Sequence, residues 1–239
     1  MTSYRGAQFG DVDFTGAVFR ESDLSGVRMH GVLLFGADID GAINGLRVNG
    51  VEVAPLIEAE LDRLHPVRLR LRPDTVAGAR DAVAAVREIW APTLAEVTED
   101  QVHVSVDSEW SLADTLRHLV FVHDAWFGVA VLGERDAYHP VGLPASFFND
   151  YSALGLDPEY APSYEEVLAA RADRLARLDA YLETATQEDL DRIRSSDPAA
   201  AWPPPGARTA WEGLRIVFNE EWTHHQFAIR DLAKLKSQS

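Results

Sequence analysis

A stretch near the C-terminus, from Trp211 to Leu235, constrains the fold more than any other part of the chain. Alternating steps of three and four residues connect Trp211, Leu214, Phe218, Glu221, His225, Ala228, Leu232 and Leu235. This spacing places all of them on one face of a helix packed in a bundle. Six of the eight are apolar, whereas Glu221 and His225 lie one turn apart on the same face.

A carboxylate in an apolar core is costly unless it is paired or bound to a cation. Glu221 and His225 therefore predict a divalent metal ion between the helices. A hydrogen-bonded pair without metal is the alternative for these two residues. His224 and Glu220 lie beside this face, which we call the seam of the helix. We interpret Glu220 as a solvated or helix-pairing charge and His224 as a flanking residue that could replace His225.

The composition narrows the functional classes. The chain has 239 residues, a formal net charge of −16 and no cysteine. Nucleic acids and anionic membranes need basic patches, so neither is a predicted partner. The lack of cysteine excludes disulfides, cysteine-ligated zinc and a cysteine nucleophile, so thiol chemistry here would need a thiol from a ligand. With no signal peptide and no apolar run of membrane length, we expect a cytoplasmic protein.

A five-residue period runs from residue 5 to residue 45. Its central positions are Phe9, Phe14, Phe19, Leu24, Met29, Leu34 and Ile39. Fixed-period self-similarity of this kind predicts a solenoid. The pattern resembles the pentapeptide-repeat family, which implies a short right-handed β-helix over residues 1–50. We interpret this segment as a structural cap or a dimerisation surface.

Residues 51–73 are predicted to connect this segment to the rest of the chain. Asn49-Gly50 lies between apolar alternations and predicts a hairpin, because both turn positions need positive φ. Pro55 to Leu64 reads as a short helix. Val67 to Arg72 alternates apolar residues with arginine, which fits an extended strap or an edge strand. Because the rest of the chain is acidic, we expect these arginines to make contacts within the molecule.

Residues 74–239 predict a four-helix bundle. The helices expected from periodicity and capping signals cover Asp74 to about Val97, Ser111 to Leu132, Ser163 to about Thr184, and Thr209 to Leu235. Asp74 can cap the first of them, and Ser163 with Glu166 and Thr209 with Glu212 are predicted to form capping boxes. The connections 133–162 and 185–208 are long, which is typical of functional loops. In such bundles, sites form between facing helices.

The second helix supplies candidates for a third metal ligand. His118 and His123 are five residues apart and therefore point in different directions. Spacing alone does not choose between them. A catalytic zinc site commonly has three protein ligands and an open position, so one of these histidines would complete the site.

Three short motifs are similar to those of the DinB-like superfamily of four-helix metalloproteins. They are Trp110-Ser111, Leu116-Arg117-His118-Leu119 and the run from Glu221 to Gln226. The resemblance implies His118, Glu221 and His225 as metal ligands, with glutamate where the superfamily usually has histidine. It covers about residues 74–239, and the superfamily includes bacillithiol and mycothiol S-transferases and the mycothiol-dependent maleylpyruvate isomerase.

The resemblance implies a metal-dependent transferase or isomerase. The expected metal is zinc, with nickel or iron as alternatives, and the expected cosubstrate is a low-molecular-weight thiol such as mycothiol that acts on a small electrophile. No side chain is assigned a catalytic role, and a homodimer is left open. The alternatives are a non-catalytic metal- or small-molecule-binding stress-response protein and an interaction module.

Overall fold

The computed structural model describes residues 3–20, 22–145, 148, 150–195 and 201–238. The chain divides into two compact units, Met1–Asn44 and Gly45–Ser239. The fold is mainly helical, as predicted, and the helices all lie in the second unit. In the part of the chain that the structure describes, no helix is long and apolar enough to span a bilayer.

The first unit repeats a tight turn every ten residues. The backbone N–H groups of Ala7, Ala17, Val27 and Ala37 donate to the carbonyls three residues earlier, at distances from 2.9 to 3.2 Å. Gly6, Gly16, Gly26 and Gly36 have φ between 70° and 79°. A type II turn needs a positive φ at its third residue, which explains why glycine recurs at this place in every second pentapeptide.

A β-helix is not seen in the first unit. None of its described residues lies in a strand. The central side chains, from Phe9 to Ile39, are 45–65% exposed, so they do not enclose an apolar interior. Tyr4, Phe9, Phe14 and Phe19 contact one another in succession, with ring centroids 5.7–6.2 Å apart. A few repeats are too short to bury a continuous core, which accounts for the exposed rings.

The second unit opens with the predicted hairpin. Strands β1 (Arg47–Val48) and β2 (Val51–Glu52) pair antiparallel across Asn49 and Gly50, whose φ angles are 50° and 82°. The helices that follow are α1 (Ala54–Leu64), α2 (Val67–Arg70), α3 (Val76–Glu96), α4 (Leu112–Val122), α5 (Tyr164–Thr184), α6 (Gln187–Asp191) and α7 (Ala210–Gln238). A second hairpin, β3 (Ile193–Ser195) with β4 (Ala207–Thr209), lies in the connection before α7.

The predicted strap at residues 67–72 is wrong in its backbone, since α2 occupies most of it. Its arginines pair with acidic side chains of neighbouring helices, so the segment makes the intramolecular contacts that were predicted for it. Arg68 lies 2.6 Å from Glu58, and Arg70 lies 2.8 Å from Asp81. The helical turn is favoured because it lets these side chains leave the backbone in different directions.

Three helices begin at capping side chains, and two of these caps are the predicted capping pairs. Ser163 and Glu166 form a capping box at the start of α5. Thr209 and Glu212 exchange hydrogen bonds at the start of α7. Ser111 caps α4. The start of α3 differs from the prediction, because Thr75 rather than Asp74 accepts the hydrogen bond from the first turn.

The predicted helix Ser111–Leu132 changes its winding halfway. The α-helical part, α4, ends at Val122 and continues as a π-helix over His123–Leu132. Helix α7 runs very close to this segment at Gly213, where a Cβ atom would lie 2.6 Å from the Trp126 carbonyl oxygen. π-helical turns often occur near functional sites, and this one begins five residues after His118.

The apolar core lies between α3, α4 with its π-helix, α5 and α7, and α3 and α4 each contact both α5 and α7. Trp90, Leu116, Leu178 and Phe218 are among its fully buried side chains. Residues from all four elements share one cluster, so the elements hold each other at fixed rotations. This packing decides which side chains of α4 and α7 face each other.

Candidate metal centre

One side chain of α4 and two of α7 converge on a common point. The ligand atoms of His118, Glu220 and His224 all lie within 4.8 Å of one another. Nε2 of His118 is 3.8 Å from Oε2 of Glu220, and Nε2 of His224 is 3.1 Å from the same oxygen. Glu220 and His224 meet because they are one helical turn apart. Within the described ranges, this is the one group of three such side chains close enough to hold a metal ion.

The His118 ring is oriented as a metal ligand requires. Its Nδ1 lies 2.9 Å from the backbone carbonyl oxygen of Leu143. A carbonyl only accepts hydrogen bonds, so Nδ1 carries the proton and Nε2 keeps its lone pair toward Glu220. Metal-ligating histidines almost always donate their second N–H to a carbonyl or carboxylate in this way. The residues present therefore fit a divalent metal ion, and two imidazoles with one carboxylate suit zinc.

Glu220 provides the negative charge of the centre. Burial opposes its ionisation, but His118 and His224 beside it lower its pKa to about 2. Its side chain is 31% exposed, against 8% for His118 and 13% for His224. Glu220 is thus ionised at neutral pH, and the centre lies at the edge of the core, within reach of solvent.

The two histidines are walled by aromatic rings. The ring of Trp110 lies 4.7 Å from that of His118 and stacks on His224 at 6.0 Å. Phe121 and Phe227 pack at 6.1 Å and 5.6 Å from His118 and His224, respectively. Such walls lower the local dielectric, which strengthens any electrostatic interaction at the centre.

A chain of hydrogen bonds holds the segment that carries Leu143. Arg117 donates to the Val141 carbonyl at 3.1 Å, and Leu143 N–H donates to the Arg117 carbonyl at 3.2 Å. Buried Asp124 accepts from the His139 backbone N–H at 2.8 Å and from Arg174. These contacts fix the carbonyl that orients His118.

Two of the three predicted ligands do not join this centre. Glu221 is fully buried, as the seam required, but both of its oxygens accept hydrogen bonds from Arg171, each at 2.7 Å. His123 lies 3.0 Å from the same carboxylate. The cation that neutralises Glu221 in the structure is therefore a guanidinium group, and the structure brings His118 together with Glu220 instead.

The His225 side chain also contacts other residues rather than the candidate centre. Its Nε2 lies 3.0 Å from the Thr93 hydroxyl, and its ring meets Trp90 edge-on at 4.9 Å. Burial lowers the pKa of His225 to about 4, although Glu221 opposes the shift. The ring is therefore neutral at physiological pH and packs in the core, one residue away from His224 of the candidate centre.

Sequence reasoning missed Glu220 and Arg171. A signal for Arg171 exists, because Val167, Arg171, Arg174 and Leu178 follow the same three-and-four spacing as the α7 seam. Both arginines on that line are buried. A basic residue on the inner face of α5 and an acidic one on the inner face of α7 indicate an internal ion pair. For Glu220 the only signal is that Glu220–His224 repeats the spacing of Glu221–His225.

Two family models match the chain. The DinB superfamily model matches residues 51–228, and the pentapeptide-repeat model matches residues 5–42 with eight copies. The first match covers well over half of the chain. No curated protein and no solved structure matched it.

Proposed function

The chain belongs to the DinB superfamily, and from this premise we propose that it is a metal-dependent protein whose centre is formed by His118, Glu220 and His224. The observation that carries the proposal is the convergence of these side chains, with the Leu143 carbonyl fixing the tautomer of His118. The mutual packing of α3, α4, α5 and α7 supports a four-helix bundle as its scaffold.

Three protein ligands favour a catalytic centre over a structural one, because structural zinc sites use four. A zinc ion held there would act as a Lewis acid and lower the pKa of a water or thiol bound to it. Glu220 offsets one of the two positive charges, so the site would retain a net charge that favours an added anion. The aromatic wall of Trp110, Phe121 and Phe227 would limit the access of bulk water.

We propose a transferase or isomerase that uses a low-molecular-weight thiol, such as mycothiol, on a small electrophile. The chain has no cysteine, so the thiol must come from outside. A thiolate is the reactive form of a thiol, and a free thiol is only slightly ionised at neutral pH. The chain's own part is to exclude water and orient the reactants. The aromatic wall also contacts the loop before α7. Phe121 stacks on Tyr138, and the Tyr138 hydroxyl donates a hydrogen bond to the Trp202 carbonyl in that loop.

The metal content of purified protein tests the first proposal. Elemental analysis should find about one divalent ion per chain, with zinc expected and nickel or iron as the alternatives. Protein reconstituted with zinc and then desalted should keep the ion. Finding no metal after reconstitution would reject the centre.

Cobalt-substituted protein tests the thiol. A thiolate bound to cobalt gives an intense near-ultraviolet charge-transfer band. We expect this band on titration with mycothiol, bacillithiol or glutathione at millimolar concentration, and loss of it in His118→Ala protein. If the cobalt-loaded protein shows no band with any of the three thiols, the thiol proposal fails. The metal centre would still be supported, and a non-catalytic metal-binding protein would become the favoured function.

A further inference from the structure

Helix α7 carries two overlapping pairs with the same spacing. Glu220 with His224 and Glu221 with His225 are both Glu-x-x-x-His, displaced by one residue. One residue is about 100° of helix rotation. The two pairs are chemically identical, so their surroundings must decide which of them faces His118.

The inner pair is held by side chains from the other core helices. Arg171 of α5 makes a two-point hydrogen bond to Glu221, with both distances 2.7 Å. His123, at the first turn of the π-helix, contacts the same carboxylate. The guanidinium of Arg171 also lies over the ring of Trp90 of α3, 4.9 Å from its centroid. Four elements therefore meet at Glu221, one residue from Glu220.

We propose that Arg171 is a positioning residue of the metal centre, which holds Glu221 in the core and thereby presents Glu220 and His224 to His118. This proposal rests on the proposed function, because it assigns a role toward the same three ligands. Arg171 does not touch them; it acts through Glu221.

The physical reason is the cost of an unpaired buried charge. Removing one partner of a buried ion pair strongly destabilises the protein, because the other charge is left without compensation. Glu221 is fully buried, so without Arg171 its carboxylate would turn toward the nearest cation or solvent. The partly exposed centre beside it offers access to solvent. Such a turn rotates Glu220 and His224 away from His118.

A rival explanation is that the apolar seam of α7 fixes the rotation without help. Leu214, Val217 and Phe218 are fully buried in the first half of the helix. In the half that carries the ligands, Ala228 is the only apolar side chain as deeply buried among the described residues. The seam is therefore weakest where the rotation must be fixed, and the ion pair lies at that place.

Four variants separate these explanations: Arg171→Met, Glu221→Met, the double variant with both changes, and Arg177→Met as the control. Arg177 is on the same helix and pairs with Glu134 at 2.7 Å, away from the centre. We expect Arg171→Met to weaken zinc binding about 10–100-fold, as loss of a supporting residue does. The double variant should regain most of the wild-type affinity, because no unpaired carboxylate remains. The control should bind like the wild type.

A measurement on metal-free protein keeps this test independent of the proposed function. The rings of His118 and His224 lie 4.8 Å apart between centroids, so their protons should give a nuclear Overhauser effect. We expect it to disappear in Arg171→Met and to return in the double variant. If the wild type shows the effect but binds no metal, the proposed function fails and the positioning role stands.

Two results would overturn the positioning role. One is an Arg171→Met variant that keeps both its zinc affinity and the His118–His224 effect. The other is a double variant as defective as Arg171→Met. If Arg171→Met does not fold, Arg171→Lys decides the question, since lysine keeps the charge but loses the two-point geometry. Weaker zinc binding with a weaker proton contact supports the role, and wild-type values for both reject it.

Discussion

The two adjacent histidines of α7 provide the sharpest test of the site, because they are the same residue type with different partners. His224 lies 3.1 Å from Glu220 in the candidate centre. His225 lies against Trp90 and Thr93 in the core. Alanine substitutions at the two positions should therefore differ in metal affinity, which only the change at His224 should lower.

The expected magnitudes follow from these contacts. Loss of a supporting residue costs about 10–100-fold in metal affinity, so loss of the ligand His224 should cost more than about 100-fold. This is about 3 kcal/mol of binding free energy. His224→Ala should also lower the unfolding free energy of metal-free protein, because it removes the contacts with Trp110, Phe227 and Glu220, so metal affinity is the measurement that distinguishes the two positions.

His225→Ala should destabilise the metal-free protein through the loss of two contacts in the core. The aromatic contact with Trp90 contributes about 0.5–1.5 kcal/mol, and the hydrogen bond with Thr93 about 0.5–1.5 kcal/mol. The sum, about 1–3 kcal/mol, corresponds to a melting temperature lower by about 2–12 °C for a chain of this size. Its zinc affinity, measured at a temperature where it is folded, should stay near that of the wild type.

Competition with a chromophoric chelator measures the affinity, and calorimetry of metal-free protein measures the stability. The reasoning would be refuted if His225→Ala lost the metal while His224→Ala kept it. That outcome would restore Glu221 and His225, the residues of the sequence seam, as ligands.

Three further predictions follow from the same contacts. His118→Ala should abolish zinc binding, whereas His123→Ala should keep it and lower the unfolding free energy by about 1.5–3 kcal/mol, since it removes a hydrogen bond to a charged group; chelator competition and urea unfolding measure the two. Asp124→Asn should weaken zinc binding about tenfold, because it loosens the segment that orients His118; unchanged affinity would contradict this route. In metal-free protein the pKa of His225 is about 4, against 6.5 in the unfolded chain. Between pH 4 and pH 6.5 the unfolded state therefore binds more protons than the folded state. Stability should therefore fall as the pH drops from about 6.5 to about 4, by on the order of 3 kcal/mol, and urea unfolding of His225→Gln should show a smaller fall.

The helices were the part of the fold most accessible to sequence reasoning. Their starts depend on local chemistry, as at Ser163 with Glu166 and Thr209 with Glu212, and both capping pairs are present. The change from α-helix to π-helix after Val122 was not predictable in the same way. It coincides with the close approach of Gly213 to the Trp126 carbonyl, which is a contact between distant parts of the chain.

The first unit illustrates the opposite case. The five-residue period was read correctly, and eight pentapeptide copies match residues 5–42. The period alone does not determine whether successive repeats pair as β-strands. With central residues such as Phe9 and Leu34 more than half exposed, the turns form but no strand does among the described residues. Strand pairing needs enough neighbouring coils, which a repeat of this length does not provide.

On α7 the candidate centre lies one residue away from the predicted ligands, for a physical reason that periodicity cannot resolve. The seam correctly placed Glu221 and His225 in the core, and both are buried. A buried carboxylate requires a cation, but the requirement does not say whether the cation is a metal or an arginine from another helix. Only the packing of α5 against the core shows that Arg171 fills this role.

The same burial that made Glu221 conspicuous also argues against it as a ligand of a reactive centre. A catalytic metal needs an open position that a small molecule can reach. Glu221 has no exposed surface, whereas the Glu220 side chain is 31% exposed. A ligand must be held in place and must also leave an open metal position that solvent can reach. A residue beside the seam can meet both requirements, because the core packs against one side of it and the other side faces solvent. The doubled Glu-Glu and His-His sequence thus places two pairs in one turn of helix: an inner pair that packs in the core, and an outer pair that we propose as metal ligands.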